Sequence, residues 1–164
     1  MNLASHLRSA RLLLRPVFAR DIWPVCRLLR NADVRRYLGG PVEWTSLYPR
    51  FRKYRAGAPD TDIWMVVWVE RRRAIGLVEL GPHKDGRDYE VSYQFLPCAW
   101  GHGLAREAVA VVLKNALSSA GLSKVIAETQ SANTASCRLL RSLGMVEQKR
   151  VERYGAEQII FSTR

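Results

Sequence analysis

Cysteine is scarce in this chain and poorly placed for structure. Cys26, Cys98 and Cys137 are odd in number, widely spaced and free of any C-x-x-C pair, which excludes a disulfide framework and a zinc ribbon. Histidine is as sparse: His6, His83 and His102 stand singly, so no metal is expected. No apolar run approaches the roughly 18 residues that a membrane-spanning helix needs. The stretch 1–16 holds three consecutive leucines but no longer apolar core and no small-residue cleavage site, so a secretory leader is not expected. Internal repeats, low-complexity segments and long linkers are also missing. These absences describe one cytoplasmic domain over residues 1–164, long enough to bury a core.

Acidic residues are the remaining deficit. Fifteen Asp and Glu stand against 26 Lys and Arg, a net charge of +11. Such a field attracts anions, whether nucleic acid, acidic protein or a phosphorylated ligand, and says nothing about fold. Runs at 71–73 and 50–55 carry much of it, and a solvated basic surface is the simplest reading of both. A basic nucleic-acid-binding module without catalysis is the competing class. It calls for a helix-turn-helix, a K-homology loop or an aromatic platform, and none is evident in the pattern.

The hydrophobic pattern predicts a strand over 11–17 and a helix over 21–30, with Asp21 as its cap and Pro24 in the first turn. A short helix follows over 33–38, then another over 45–56 capped by Thr45 or Ser46. β-Branched runs at 63–70, 73–80 and 88–96 read as an antiparallel meander. A helix over 104–117 buries Leu104, Ala108, Val111, Val112 and Leu117. Then come a strand at 124–129, a helix at 133–143 and a hairpin from 145–154 and 157–163. The order predicts a mixed α/β (α+β) domain: a mostly antiparallel sheet, one parallel splayed pair of strands, and helices on both faces.

Between strand 88–96 and helix 104–117 the chain reads P-C-A-W-G-H-G-L-A-R-E-A over 97–108. A strand, a glycine turn and a helix start in succession aim unpaired N–H groups and a helix dipole at one point, which suits phosphate. Alone, G-x-G serves equally as a structural turn. It is no Walker loop, because no G-K-[ST] follows, and no dinucleotide fingerprint, because Arg106 stands where the third glycine belongs. Downstream, Asn133-Thr-Ala-Ser136 opens a helix that closes on Leu143-Gly144-Met145. Asn133 is either a helix cap or a ligand contact; Ser136 is either a surface hydroxyl or part of a site.

Five ordered motifs together carry a resemblance. They are S-A-R-L-L-L-R-P-V-F-A-R-D at 9–21, the meander with Ile75-Gly76, E-V-S-Y at 90–93, P-x-x-W-G-x-G-x-A-x-E-A, and N-x-x-S with L-G-M. In these the chain resembles the GNAT superfamily of acyl-CoA N-acetyltransferases, and within it the ribosomal-protein N-terminal (alanine/serine) acetyltransferase subgroup. The resemblance implies acetyl-CoA as co-substrate and direct acetyl transfer to a primary amine. The acceptor is either a protein N-terminus or a small amine such as an antibiotic or polyamine. The turn made of Gly101, His102, Gly103, Leu104, Ala105 and Arg106 would hold the pyrophosphate. Phe95 and Leu96 would offer backbone to the pantetheine arm, joined by Asn133, Ser136 and Trp100. Trp100 is the subgroup's variant of a Gln or Arg common elsewhere.

Roles follow from the resemblance. Glu90 would be the base that deprotonates the amine, with Glu79 the second candidate. Many members place a Tyr acid where this chain has Leu140. Ser136 is the substitute, unless the thiolate leaves without a side-chain acid, and a domain that binds CoA without transfer also fits the missing Tyr. Cys137 is expected to pack rather than form an acyl intermediate, since no His stands in position to activate it. His102 is expected to face solvent. Trp44, Tyr48, Tyr54, Trp64 and Trp68 are expected in the core, unless those between 44 and 54 line the acceptor cleft. The positive surface would suit the ribosome or an acidic partner, and the chain would be a monomer or homodimer.

Overall fold

A computed structural model describes residues 6–86 and 88–164. The stretch considered as a leader begins in residues 1–5, outside the described residues; its remainder builds the first two strands. One sheet contains β1 (Leu7–Arg8), β2 (Leu12–Pro16), β3 (Asp62–Trp68), β4 (Arg73–Pro82), β5 (Tyr89–Phe95), β6 (Val125–Gln130), β7 (Val146–Arg153) and β8 (Ala156–Ser162). Their order is β1-β2-β3-β4-β5-β6-β8-β7. Every neighbouring pair is antiparallel except β5 and β6. Helices α1 (Ile22–Arg30), α2 (Ala32–Arg35) and α3 (Trp44–Ala56) lie between β2 and β3, α4 (Leu104–Ser118) joins β5 to β6, and α5 (Thr134–Ser142) joins β6 to β7. Among the described residues no helix is long and apolar enough to cross a membrane.

Strand alternation divides the core into two layers. Trp64, Val66, Val78, Val91 and Phe95 point to the face covered by α4 and α5, where Leu104, Val109, Val112 and Leu140 complete the cluster. Met65, Leu77 and Leu96 point to the opposite face, against Val25, Leu28 and Leu29 of α1 and Leu47 and Phe51 of α3. The expected fold class is therefore observed, with helices on both faces.

Several local expectations are corrected. The buried stripe of α4 runs through Val109 and Leu113, while Val111 and Leu117 are only half-buried. Asp21 stands at the start of α1 but does not cap it with its side chain. Its buried carboxylate takes both guanidinium nitrogens of Arg15, at 2.7 and 2.8 Å, and the Phe18 N–H at 2.7 Å. The charge-assisted fork with a full partner set is the stronger arrangement for a buried carboxylate. At α3, neither Thr45 nor Ser46 caps: the cap position is Glu43, with no side-chain bond. The helix expected over 33–38 is shorter, because after Arg35 the chain turns through left-handed Gly39 and Gly40. Buried Arg35 donates to the Gly40 carbonyl at 3.1 Å and to the Leu38 carbonyl, which fixes the turn.

β5 and β6 pair at only two positions, Tyr89 with Val125 and Glu90 with Ile126, and then separate. β5 continues to Phe95 on β4 alone, and β6 continues to Gln130 on β8 alone. Gly76 keeps β5 close to β4 here, since a Cβ on it would overlap the Phe95 ring and come within 2.7 Å of the Gln94 carbonyl. Gly76→Ala is therefore expected to cost about 1–3 kcal/mol of stability by overpacking, read as a lowered Tm in thermal denaturation. An unchanged Tm would show that the Phe95 ring can yield.

Candidate functional site

The separating strands open a cavity of about 480 Å³, walled by residues 90–95 of β5, 127–129 of β6 and 133–136 at the start of α5. That is within the range of small-molecule sites. A second hollow of about 640 Å³ shares Tyr37, Leu38, Glu90, Glu128, Thr129 and Asn133 with the first, so the two communicate. Together they make a cleft through the sheet, open to both helical layers.

The glycine turn stands at one end of the cleft. Gly101 and Gly103 are both left-handed, at φ 75° and 72°, a conformation glycine adopts without cost. No side chain caps α4 at Gly103, so its first-turn N–H groups stay unclaimed within the helix. A Cβ on Gly101 would meet nothing within 4 Å, so the approach to the backbone is open. Arg11 braces the turn by donating to the His102 carbonyl at 3.1 Å and pairing with Glu107 at 2.6 Å. Glu107 also accepts from Ser9 Oγ at 2.6 Å and the Arg11 N–H at 3.0 Å. Although burial works against ionisation, those hydrogen bonds and the Arg11 charge hold its carboxyl below the usual range. The exposed His102 ring lies 5.4 Å from that of Trp68.

The other turn residues divide. Ala105 and Trp100 line the cavity. The Leu104 side chain is fully buried in the core, leaving only its backbone to the turn. The Arg106 guanidinium is engaged with Ser142, at 3.1 Å to Oγ and 3.2 Å to the carbonyl, so it links α4 to α5. The Trp100 indole N–H donates to the Phe95 carbonyl at 2.9 Å, satisfying a group that the missing β6 partner leaves free. Leu96 departs from expectation: its N–H bonds the Ile75 carbonyl at 2.8 Å, and its side chain packs with α1 and α3. By ladder alternation, the N–H groups of Tyr93 and Phe95 are the ones that face the gap.

On the α5 side, Asn133 Oδ1 accepts from the Ser136 N–H at 3.2 Å and caps the helix. Both residues line the first cavity. Ser136 Oγ lies 2.7 Å from Tyr93 Oη. Burial pushes the Tyr93 phenol up to about 12, although the bond to Ser136 works the other way. Tyr93 thus stays protonated and reaches across from β5 to the helix. Leu140 is fully buried, and Cys137 is buried with its thiol raised by desolvation, the state of a packed cysteine rather than a nucleophile.

Glu90 lines both hollows. Burial raises its carboxyl above the ordinary value, and nearby Glu128 adds to the rise while His83 opposes it. Glu79 is half-buried and likewise raised by desolvation, yet it lines neither hollow. It faces Tyr54 and Lys53 in the α3 layer. Of the aromatic residues, Trp64 and Trp68 are core, whereas Trp44 and Tyr48 are 71% and 59% exposed. Neither these two nor Tyr54 lines the cleft. That wall is made by Tyr37 and Leu38, with the Tyr37 carbonyl accepting from Gln130 Nε2 at 3.3 Å.

Four contributors were not singled out from the sequence. His83 is 4% exposed and its Nε2 lies 3.0 Å from Glu128 Oε2 and 3.9 Å from Glu90 Oε2. Glu128 also takes Lys84 at 2.9 Å and Arg153 at 3.0 Å. Burial would raise its carboxyl, but the His83 and Lys84 hydrogen bonds outweigh that and hold it low. Tyr154 lines the second hollow from a left-handed turn position at φ 56°. Its hydroxyl bonds Lys84 Nζ at 3.0 Å. Tyr93 was visible only as one letter of a motif; strand alternation at 91, 93 and 95 was the signal that places it toward α5.

Residues 11–146 match the acetyltransferase (GNAT) domain family. Among curated proteins, the uncharacterized N-acetyltransferase YoaA of Bacillus subtilis (strain 168) is 27% identical, over 90% of this chain and 86% of that protein. Among solved structures, the ribosomal-protein-S5-alanine acetyltransferase of Vibrio fischeri superposes with a TM-score of 0.79 at 18% identity, covering 97% of this chain and 96% of that one. The spermidine N-acetyltransferase of Vibrio cholerae, solved with CoA and spermine, superposes at 0.77 with 21% identity and 94% coverage of both chains. At such identities the superpositions speak for the fold. The two separating strands, the uncapped glycine turn and the family match over most of the chain lead to one statement: the protein belongs to the GNAT acetyltransferase family.

Proposed function

We propose that the protein transfers the acetyl group of acetyl-CoA to a single primary amine, and that this amine is a polypeptide N-terminus. The observation that carries the reading is Glu90, at the junction of the two hollows, with no Lys or Arg within ion-pair distance among the described residues. The other carboxylates in the walls are engaged: Glu128 by Lys84 and Arg153, and Asp33 by Arg36 at 3.0 Å. A polycationic acceptor calls for several free carboxylates, whereas one amine calls for one base. The free thiols Cys26, Cys98 and Cys137 suit a reducing, cytoplasmic setting.

The residues present fit the donor. Left-handed Gly101 and Gly103 leave the backbone open at the α4 N-terminus, as a pyrophosphate requires. Gln94 Oε1, buried in the cavity wall without a hydrogen-bond partner among the described residues, suits an amide N–H of the kind pantetheine carries. The N–H groups of Tyr93 and Phe95 would meet the same arm along the gap. When bound, acetyl-CoA supplies the acetyl group as a thioester whose thiolate is the leaving group.

Glu90 removes the proton that an ammonium acceptor carries, since only the neutral amine attacks a carbonyl. Its raised carboxyl makes it a stronger base than an exposed glutamate, and His83 beside it moderates the rise. On the far wall, with Tyr93 as the donor in its 2.7 Å bond to Ser136 Oγ, the Ser136 hydroxyl hydrogen is free to turn into the cleft toward the departing sulfur. Asn133 fixes Ser136 through its N–H. Tyr93 is a positioning residue here, and Leu140 needs no Tyr in its place.

Three outcomes test this reading. Thiol release with acetyl-CoA, followed by mass spectrometry, is expected with peptides bearing free Ala or Ser termini; transfer to spermidine or an aminoglycoside alone would overturn the acceptor. The acid limb of kcat/KM is expected above the ordinary glutamate value, because activity is lost as falling pH protonates a carboxyl whose pKa is raised. Glu90→Gln should abolish that limb and lower kcat/KM by about a hundredfold; an unchanged limb would assign the base elsewhere. Tyr93→Phe and Ser136→Ala should each lower kcat by about tenfold or more with KM little changed, and the double variant should be no worse than the poorer single one. Additive losses would separate Tyr93 from Ser136.

A further inference from the structure

The densest share of the net charge of +11 lies away from the glycine turn. Between residues 22 and 56 the chain carries eight Lys or Arg against two acids, Asp33 and Glu43, and Asp33 is bonded to Arg36 at 3.0 Å. Glu43 stands exposed at the start of α3. This segment forms α1, α2 and α3, which cover one face of the sheet.

The exposed sides of α1 and α3 carry an unusual alternation. On α1, Trp23, Arg27 and Arg30 recur at helical spacing, and on α3, Trp44, Tyr48 and Arg52 do the same, so each set shares one side of its helix. Trp23 is 76% exposed, more than Trp44 or Tyr48. The inward sides are already filled by Val25, Leu28, Leu29, Leu47 and Phe51, so the core does not need these rings. The half-buried Arg30 guanidinium donates to the Val42 carbonyl at 3.0 Å and lies 4.4 Å from the Trp44 ring centroid, so it ties the two rows into one surface while Arg27 and Arg52 stay exposed. Exposed aromatic rings grouped in this way mark an interaction site.

The chemistry selects the partner. An apolar protein would bury the cations unpaired; an acidic protein would pair them but offers few planar groups to stack on the rings. A single-stranded nucleic acid uses both, with bases stacked on rings and phosphates on arginines. We propose that the α1–α3 face is a docking surface for single-stranded nucleic acid, with Trp23, Trp44 and Tyr48 as stacking platforms and the interleaved arginines as phosphate contacts. The surface is independent of the transfer cleft, so a protein without acetyl transfer would still bind through it.

Fluorescence anisotropy with a labelled oligouridylate tests the surface on the whole protein. Binding is expected at low salt, weakening linearly on logarithmic axes as salt rises. Trp44→Ala/Tyr48→Ala should weaken it about tenfold or more without changing the salt slope. Arg27→Glu/Arg52→Glu should weaken it and flatten the slope, and more so than Arg72→Glu/Arg73→Glu on the β3–β4 turn. All substituted side chains are exposed, and a retained cooperative melt confirms each fold. The proposal is overturned by no binding at low salt, by binding indifferent to the two aromatic substitutions, by equal damage from the β3–β4 control, or by oligoglutamate competing as well as unlabelled oligouridylate.

Discussion

Two rungs of parallel ladder, followed by none, set the conditions for everything else in this molecule. Had β5 and β6 continued to pair beyond Glu90 and Ile126, the sheet would be closed and no cleft would exist. Their separation exposes backbone groups on both inner edges, which would be costly in a sealed interior. The fold meets that cost in two ways. The Trp100 indole satisfies the Phe95 carbonyl, and the rest of the gap stays open to solvent or ligand. Gly76 holds the parted half of β5 against β4, and α4 begins beside the gap, so the strand break and the helix dipole reach the same space.

Electrostatics inside this strongly basic chain follows one pattern, from which Glu90 and Glu79 depart. Asp21 is held by Arg15, Glu107 by Arg11 and Ser9, and Glu128 by His83, Lys84 and Arg153. Each carboxylate with a cationic partner is a structural tie: to the start of α1, to the turn before α4, or to the β6–β7 end of the sheet. Among the described residues Glu90 has His83 at 3.9 Å, a hydrogen bond from the Glu128 backbone and the more distant Lys84 charge, and there desolvation prevails. In the proposed reaction, the contrast between Glu90 and Glu128 separates the group that takes the proton from the group that supports it.

Much of this was legible in the sequence where local chemistry decides. Left-handed Gly101 and Gly103 before an apolar helix, Asn133 three residues before Ser136, and the three-strand meander each depend on neighbours a few positions away. What was not legible depends on distance along the chain. His83 and Glu128 are 45 residues apart, and Tyr93 and Ser136 are 43 apart, so neither pair leaves a spacing to read. The aromatic segment misled for another reason: α3 carries two stripes at helical spacing, Trp44 with Tyr48 and Leu47 with Phe51. Periodicity alone does not say which one faces the sheet. Leu96 was misplaced by one residue, and on a strand one residue is the difference between the two faces.

The hairpin turn between β7 and β8 has a consequence for how such a protein diverges. A two-residue turn with both positions left-handed ordinarily favours Asn-Gly, yet here Tyr154 precedes Gly155 at φ 56° and 73°. Tyr154 sits outside both core clusters and lines only the second hollow, while the glycine turn, Ser136 and Tyr93 belong to the other side of the cleft. A change at that turn alters what the second hollow accepts while leaving the opposite wall and the folding core as they were. On the proposed reading, the donor half of the cleft can be inherited while the acceptor half drifts. One family scaffold can acquire new partners without rebuilding its chemistry.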